Sequence, residues 1–279
     1  MLKLAQPKIE SKVAYKKSVD GLVDDLEKLF LKSVETSIEI SSVDYLAKAP
    51  RGELYLIAPA ANVGAVSGER LSNLYEDHMV SKTGSARNIY DAIRSSSRKC
   101  ALCGHQMAST LDHYLPKSSF PAFAVNPANL IPCCRDCNTH KGRKVIDAAG
   151  KQLFHPYFDD FDGIRWLHAK VDEETPPSIA FYVDPPAEIG GTFKMRAEEH
   201  MTKLRLNNIY SANAAEELVN IAGQLKELGD RLSCFGVHAH LLELANSCAK
   251  ARLNSWQSAM YKALSESEWF YTVGFRLIR

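Results

Sequence analysis

Cysteine is the residue type whose spacing in this chain most directly suggests chemistry. Two Cys-x-x-Cys pairs, Cys100–Cys103 and Cys134–Cys137, are separated by thirty residues. Four thiolates in two such pairs suit a tetrahedral, closed Zn²⁺ site with a structural role. Gly104 follows the first pair, where the chain must turn sharply around a metal. The spacing therefore predicts a zinc ribbon.

The remaining three of the seven cysteines need separate interpretations. Cys133 immediately precedes the second pair and is a poorer alternative ligand, so its role is left open. Cys234 and Cys248 lie in apolar helical patterns, which is typical of buried core cysteines. The sequence alone thus assigns four cysteines to metal and two to the core.

Polar residues whose side chains could take part in catalysis or bind a metal lie between and just after the cysteine pairs. Asp112 and His113 place a carboxylate beside an imidazole. Asn129 precedes an apolar Leu-Ile-Pro segment, and Asn138 directly follows the last cysteine. The stretch from Arg94 to Lys144 is also basic, with eight cationic residues against two acidic ones: Arg94, Arg98, Lys99, Lys117, Arg135, Lys141, Arg143 and Lys144 against Asp112 and Asp136. A basic stretch of this kind favours contact with phosphates.

The segments DHYLP, NL and CRDCNTHK resemble those of the HNH endonucleases, whose ββα-metal motif cleaves phosphodiesters with one divalent ion. The resemblance spans Cys100 to Lys144, roughly a sixth of the chain. A weaker similarity extends through NIYDAI upstream and FHPYFDD downstream, as in cytoplasmic HNH proteins of bacteria. Some of these resemble the nuclease subunits that pair with an ATPase in Septu-type phage defence. The resemblance implies an endonuclease acting on DNA rather than RNA, with an ATPase partner subunit or a homo-oligomer.

The resemblance also assigns roles by position. His113 matches the general base, and Asp112 matches the metal-binding carboxylate before it. Asn129 matches the middle Asn, which supports the geometry of the active site. Asn138 falls at the final position, where family members carry His or Asn. His140, two residues later, is the alternative ligand, and the motif does not decide between the two.

The residue types agree with these roles. A neutral imidazole with a pKa near ~6.5 can take a proton from water near neutral pH. A divalent ion supplies the Lewis acid that the phosphate needs. Oxygen donors from Asp112 and Asn138 suit Mg²⁺ or Mn²⁺, which favours Asn138 over His140. The residues expected to hold phosphates without reading sequence are Lys117, Lys141, Arg143 and Lys144.

Composition bounds the class of protein. The chain has 279 residues, of which 46% are hydrophobic and 24% charged, with a formal net charge of +1. These values are typical of a globular protein and exclude both disorder and a protein held on nucleic acid by bulk charge. No secretory signal is visible, and no stretch approaches the ~20 apolar residues that span a bilayer. We therefore expect a cytoplasmic protein without membrane contact.

The secondary-structure elements that must position these residues are predicted to form an α+β, mainly helical fold. A ββα-metal HNH core with a zinc ribbon is expected at residues 99–155, after an N-terminal helical region at 1–98. Residues 156–279 are predicted to form a small strand pair followed by helices, with Ser211 capping one helix and Gly229 ending it. A further helix is expected from about Val237 to Leu264.

Strand geometry constrains the catalytic pair. Adjacent strand residues point to opposite faces, so Asp112 and His113 cannot share a site on a regular strand. The first strand of the core is therefore expected to end at Leu111, followed by a strand at Leu130–Ile131 and a helix from about Asp136.

Two interpretations without catalysis compete with the endonuclease. In one, the zinc ribbon only binds nucleic acid. In the other, the chain is an adaptor whose C-terminal helices dock an ATPase. The first predicts that replacing His113 with Ala changes no measurable property, and in the second the HNH site is vestigial.

Overall fold

The computed structural model describes residues 1–279 and is α+β, with 57% helix and three small two-stranded sheets. This confirms the predicted fold class. The chain forms two compact units, Met1–Asp159 and Asp160–Arg279. The regions 1–98 and 99–155 that the sequence distinguishes both lie in the first unit. None of the helices combines the length and the apolar character that crossing a bilayer requires.

The first unit begins with helices that build one wall of the candidate site. Its early elements are α1 Ser11–Asp20, α2 Asp25–Lys32, α3 Glu35–Lys48, β1 Asn62–Val63, β2 Val66–Ser67, α4 Gly68–Leu74, a π-helical segment Tyr75–Val80 and α5 Arg87–Ser95. Asp24 begins α2, because its carboxylate accepts hydrogen bonds from the amides of Leu26 and Glu27. Ser67 caps α4 in the same way, by accepting from the amide of Arg70.

A ββα arrangement follows these helices. Strand β3 (Thr110–His113) pairs antiparallel with β4 (Leu130–Cys133), and α6 (Arg135–Lys141) comes next in the chain. The expectation that the first strand ends at Leu111 is wrong. The ladder continues because Asp112 lies opposite Ile131 and His113 lies opposite Leu130.

One hydrophobic core joins the N-terminal helices to the ββα arrangement. Buried side chains of α1 and α5, such as Tyr15 and Ile89, belong to the same cluster as Leu111 of β3 and Leu130 of β4. The position of the helices relative to the candidate site is therefore fixed by packing within a single unit.

The second unit carries the predicted strand pair and then helices. Its elements are β5 Leu167–Asp172, β6 Ser178–Val183, α7 Gly191–Lys203, α8 Leu206–Ala251, α9 Trp256–Glu266 and α10 Glu268–Thr272. Strands β5 and β6 are antiparallel. The side chain of Asn254, between α8 and α9, accepts hydrogen bonds from the amides of Trp166 and Leu167 and so ties the helices to the start of β5.

Three predicted helix boundaries in the second unit are wrong. Ser211 does not cap a helix, because α8 already begins at Leu206 and the Ser211 hydroxyl donates to the carbonyl of Ile179 at 2.7 Å. Gly229 does not end a helix; α8 continues to a break at Ser233, which has a φ of 60°. Glycine is present there for a different reason, since a Cβ at Gly229 would lie 2.6 Å from the Phe275 ring. The helix expected from Val237 to Leu264 is divided into the end of α8 and α9, which Ser255 caps.

Candidate active site

The four cysteines of the two predicted pairs converge on one buried point. The Sγ atoms of Cys100, Cys103, Cys134 and Cys137 all lie within 4.8 Å of one another. Tetrahedral Zn²⁺ with Zn–S bonds of about 2.3 Å needs sulfurs roughly 3.8 Å apart, so the cluster fits after a small contraction. The donor set is chemically that of a structural metal such as zinc.

Hydrogen bonds show how the backbone shapes this cluster. The amide of Cys103 donates to the sulfur of Cys100 at 3.5 Å, and that of Cys137 donates to Cys134 at 3.4 Å. Such bonds stabilise thiolates. Hydrogen bonding among the thiols lowers the pKa of Cys103 and Cys134 and raises that of Cys100 and Cys137. Gly104 turns the chain with a φ of 70°, as the sequence indicates.

The cluster sets the position of α6 relative to the sheet. The amide of Ala101 donates to the carbonyl of Pro132 at 2.9 Å, which docks the first cysteine pair on β4. Cys134 is the N-cap of α6. The start of the helix that carries Asn138 is therefore fixed by a cysteine of the cluster.

Cys133 lies outside the four-sulfur group although it adjoins Cys134. It is fully buried at the end of β4, and burial raises the pKa of its thiol. The residue that the sequence left without a role is a protonated thiol of the core.

A cavity of about 640 Å³ opens at the end of β3. Asp112, His113 and Asn138 all line it, whereas His140 does not. The expectation that Asp112 and His113 cannot share a site on a regular strand is therefore wrong, because they are the last two residues of β3 and the cavity opens at that end of the strand. Successive residues of a helix are rotated by about 100°, so Asn138 and His140 project from nearly opposite sides of α6. The side chain of His140 has its Nδ1 buried without a hydrogen-bond partner. The structure thus brings three of the predicted residues together and leaves the alternative ligand outside.

His113 is held in one tautomer. Its Nε2 donates to the carbonyl oxygen of Ala124 at 2.8 Å, since a carbonyl can only accept. The lone pair available for accepting a proton is therefore on Nδ1. The Tyr75 ring meets the imidazole edge-on, with ring centroids 4.4 Å apart. Burial lowers the pKa of His113 to about 3, which keeps the ring neutral at physiological pH.

Asp112 faces a buried lysine. Its Oδ2 lies 3.0 Å from the Nζ of Lys141, and both side chains are only 7% exposed. Burial raises the pKa of Asp112, and the Lys141 ammonium opposes that shift. Lys141 also donates to the carbonyl of His113 at 2.6 Å. This enclosed position differs from the exposed phosphate contact that the charge pattern suggests for Lys141.

Asn129 is fully buried and holds the loop between β3 and β4. Its Oδ1 accepts from the amide of Leu115 at 2.8 Å, and its Nδ2 donates to the carbonyls of Leu115 and Phe123. It does not line the cavity. Its contacts support the loop that carries Lys117, one of the cavity residues.

A second layer of hydrogen bonds holds Asn129 itself. The Nδ1 of His155 accepts from the amide of Tyr157, so its Nε2 carries the hydrogen that reaches the Tyr45 hydroxyl at 3.0 Å. That hydroxyl lies 3.3 Å from the Oδ1 of Asn129. Tyr45 of α3 and His155 of the segment after α6 therefore hold Asn129, which in turn holds the loop between β3 and β4.

The remaining predicted phosphate contacts differ in their surroundings. Arg143 lines the cavity, and both Arg143 and Lys144 are exposed just after α6. Lys117 is paired with Glu76, with 3.0 Å between the Nζ and Oε1 atoms. Glu76 and Tyr75 belong to the π-helical segment and line the cavity. No local sequence pattern indicates these two residues, since only the packing of the N-terminal helices brings them to the site.

The fold and the site define a mainly helical α+β protein with a buried four-cysteine cluster of the kind that binds a structural metal. The chain is 33% identical over 224 residues to protein ea31 of Escherichia phage lambda, covering 75% of this chain and 76% of that protein. It belongs to the same family as protein ea31.

A second similarity is shorter. The chain is 31% identical over 72 residues to the Septu protein PtuB of Bacillus thuringiensis, which covers 24% of this chain and 27% of that protein. No family model and no solved structure matches the chain.

Proposed function

We propose that this protein is a metal-dependent HNH endonuclease that hydrolyses phosphodiester bonds in DNA. The observation that carries the proposal is the convergence of Asp112, His113 and Asn138 on one cavity of a ββα arrangement. The neighbouring four-cysteine cluster supports it, because it holds the helix that presents Asn138. The preference for DNA over RNA rests on the resemblance to HNH endonucleases.

The proposed metal sites differ in their donors. Cys100, Cys103, Cys134 and Cys137 would hold Zn²⁺ as a structural ion. Asp112 and Asn138 would hold Mg²⁺ or Mn²⁺ through oxygen atoms in the open cavity. A bound divalent ion would supply Lewis acidity to the phosphate and acidify the attacking water.

His113 is the proposed general base. With Nε2 committed to Ala124, the ring accepts the proton of the attacking water at Nδ1. Its neutral form is already populated at physiological pH, because burial depresses its pKa to about 3. Asn129 supports the surrounding loop, and Lys117, Arg143 and Lys144 are the proposed contacts to the phosphate backbone.

The proposed biological role is in phage defence, together with a partner. The similarity to a Septu protein supports a role in bacterial phage defence in the cytoplasm, together with an ATPase partner or a second copy of the chain. The similarity to ea31 involves a protein encoded by a phage, so the defence role rests on the PtuB similarity alone.

Nicking of supercoiled plasmid DNA tests the proposed activity. Wild-type protein is expected to nick in Mg²⁺ or Mn²⁺, and His113→Ala is expected to reduce the rate by about 10²–10⁴-fold, as the loss of a general base does. His113→Asn should be equally inactive, since it can donate to Ala124 but cannot act as the base.

Zinc content and urea unfolding check that the variants are folded. His238→Ala, in the second unit, serves as the control and should nick at the wild-type rate. If wild-type protein nicks in neither ion, with or without cell extract supplying a partner, the enzyme proposal fails. A zinc ribbon that only binds nucleic acid, or an adaptor for an ATPase, would then describe the protein better.

A further inference from the structure

Lys141 is the buried cation of the candidate site. Its side chain is 7% exposed, compared with 26% for Lys117 at the rim of the same cavity. The ammonium is enclosed by two groups of β3, the carboxylate of Asp112 at 3.0 Å and the carbonyl oxygen of His113 at 2.6 Å. Lys141 could contact a phosphate at the surface only by giving up its contacts with these two groups.

Lys141 also bridges the two elements that carry the candidate catalytic residues. It follows Asn138 by three residues on α6, so the two side chains lie on the same face of that helix. Asp112 and His113 are the last two residues of β3. The contacts of Lys141 therefore fix both β3 residues relative to the helix that presents Asn138.

Stability does not explain this pair. Burying two opposite charges costs desolvation free energy that their attraction recovers only in good geometry, and apolar replacements are often as stable. A buried lysine that contacts both members of an Asp-His pair is better explained by the geometry that it imposes on them.

We propose that Lys141 is a positioning residue of the nuclease site, which sets the Asp112 carboxylate and the His113 main chain relative to Asn138. The inference rests on the proposed function and assigns Lys141 a role different from holding the phosphate backbone. The two roles predict opposite kinetic signatures.

The experiment compares Lys141→Gln with wild-type protein in plasmid nicking and in DNA binding without divalent ions. A positioning role predicts that kcat at saturating DNA and metal falls by about 10²-fold, as expected when reacting groups move by roughly 1 Å. The Kd for DNA should stay within about threefold, because Lys141 is not exposed to the backbone. Lys151→Gln, an exposed lysine of the same unit, is the control and should change neither value.

Lys144→Gln supplies the comparison for a true phosphate contact. It should weaken DNA binding and lower the slope of log Kd against log salt by about one. Lys141→Arg keeps the charge within reach of Asp112, so its kcat should lie between those of Lys141→Gln and wild-type protein, with unchanged DNA binding.

The outcomes separate this inference from the proposed function. If wild-type protein does not nick, both the proposed function and the positioning role of Lys141 are wrong. If it nicks and Lys141→Gln nicks equally well, or if Lys141→Gln weakens DNA binding about tenfold without changing kcat, only the positioning role is overturned. If Lys141→Gln loses its zinc and does not fold, Lys141→Arg decides: a reduced kcat with unchanged DNA binding supports the role, and wild-type kcat overturns it.

Discussion

The surroundings of His113 fit the proposed role of this residue as a general base. The hydrogen bond from Nε2 to Ala124 leaves Nδ1 as the proton acceptor, and the Tyr75 ring limits rotation of the imidazole. Burial makes the ring a weaker base, since it lowers the pKa to about 3. It also keeps the ring out of its protonated form, which cannot accept a proton. A base this weak is effective only toward an acidified water, so the proposed base and the proposed divalent ion depend on each other.

The choice between Asn138 and His140 as metal ligand can be tested directly. Asn138→Ala is expected to reduce plasmid nicking by about 10- to 100-fold, because it removes a proposed metal ligand in the cavity and the loss of even a supporting residue of a metal site costs that much. His140→Ala is expected to stay near the wild-type rate, since His140 lies outside the cavity. Nicking rates over a range of Mn²⁺ concentrations give the comparison.

Asn138→Asp is a useful companion because it keeps an oxygen ligand. It should retain more activity than Asn138→Ala. If Asn138→Ala cuts normally while His140→Ala is inactive, the ligand assignment is wrong.

At the scale of elements, the spacing of neighbouring residues predicted those features that depend on a few adjacent residues. The Cys-x-x-Cys pairs and Gly104 indicated the cluster because ligand spacing and a sharp turn are properties of a few adjacent residues. The strand pair of the second unit was equally visible, in the alternation that places β5 and β6. The packing of whole elements against one another was not visible in this way.

The features that sequence missed all arise from contacts between distant segments. Glu76 and Tyr75 reach the cavity only because the N-terminal helices share a core with β3 and β4. Lys141 belongs to a basic run that resembles a solvated helix end, yet its position on the face of Asn138 turns it inward. Gly229 lies inside a helix because the Phe275 ring approaches it, a reason that no local pattern carries.

The cysteine cluster should act on α6 as an element. Cys100→Ser removes one of four ligands and is expected to abolish tight zinc binding, from about one ion per chain to nearly none. Since Cys134 both belongs to the cluster and caps α6, the variant should also lower the Tm and the nicking rate. Metal analysis by mass spectrometry and thermal unfolding provide the two measurements.

Cys234→Ser is the matched control for this variant. Cys234 and Cys248 are partly exposed in α8, so the prediction that they are buried core cysteines is wrong. Because Cys234 lies outside the cluster, its replacement should not change the zinc content. Full zinc retention in Cys100→Ser would show that the four sulfurs are not the metal site.

At the scale of the whole molecule, charge is divided between the two units. Met1–Asp159 has 21 Lys and Arg residues against 17 Asp and Glu residues, a net charge of +4. Asp160–Arg279 has 13 against 16, a net charge of −3. The overall value of +1 thus averages a basic unit that holds every candidate site residue with an acidic unit that holds none.

This division predicts how a fragment of residues 1–159 should behave. The unit contains its own hydrophobic core and the whole cysteine cluster, so the fragment is expected to fold and to keep its zinc. Without the acidic unit, its long-range attraction to DNA should increase, and the Kd at 50 mM salt should be equal to or lower than that of the full chain. The slope of log Kd against log salt should not change, because all of the proposed phosphate contacts remain in the fragment. Fluorescence anisotropy with labelled duplex DNA between 50 and 200 mM salt measures both quantities. A folded, zinc-loaded fragment with a shallower slope would show that the second unit supplies phosphate contacts of its own, and that its net negative charge conceals a DNA-binding surface.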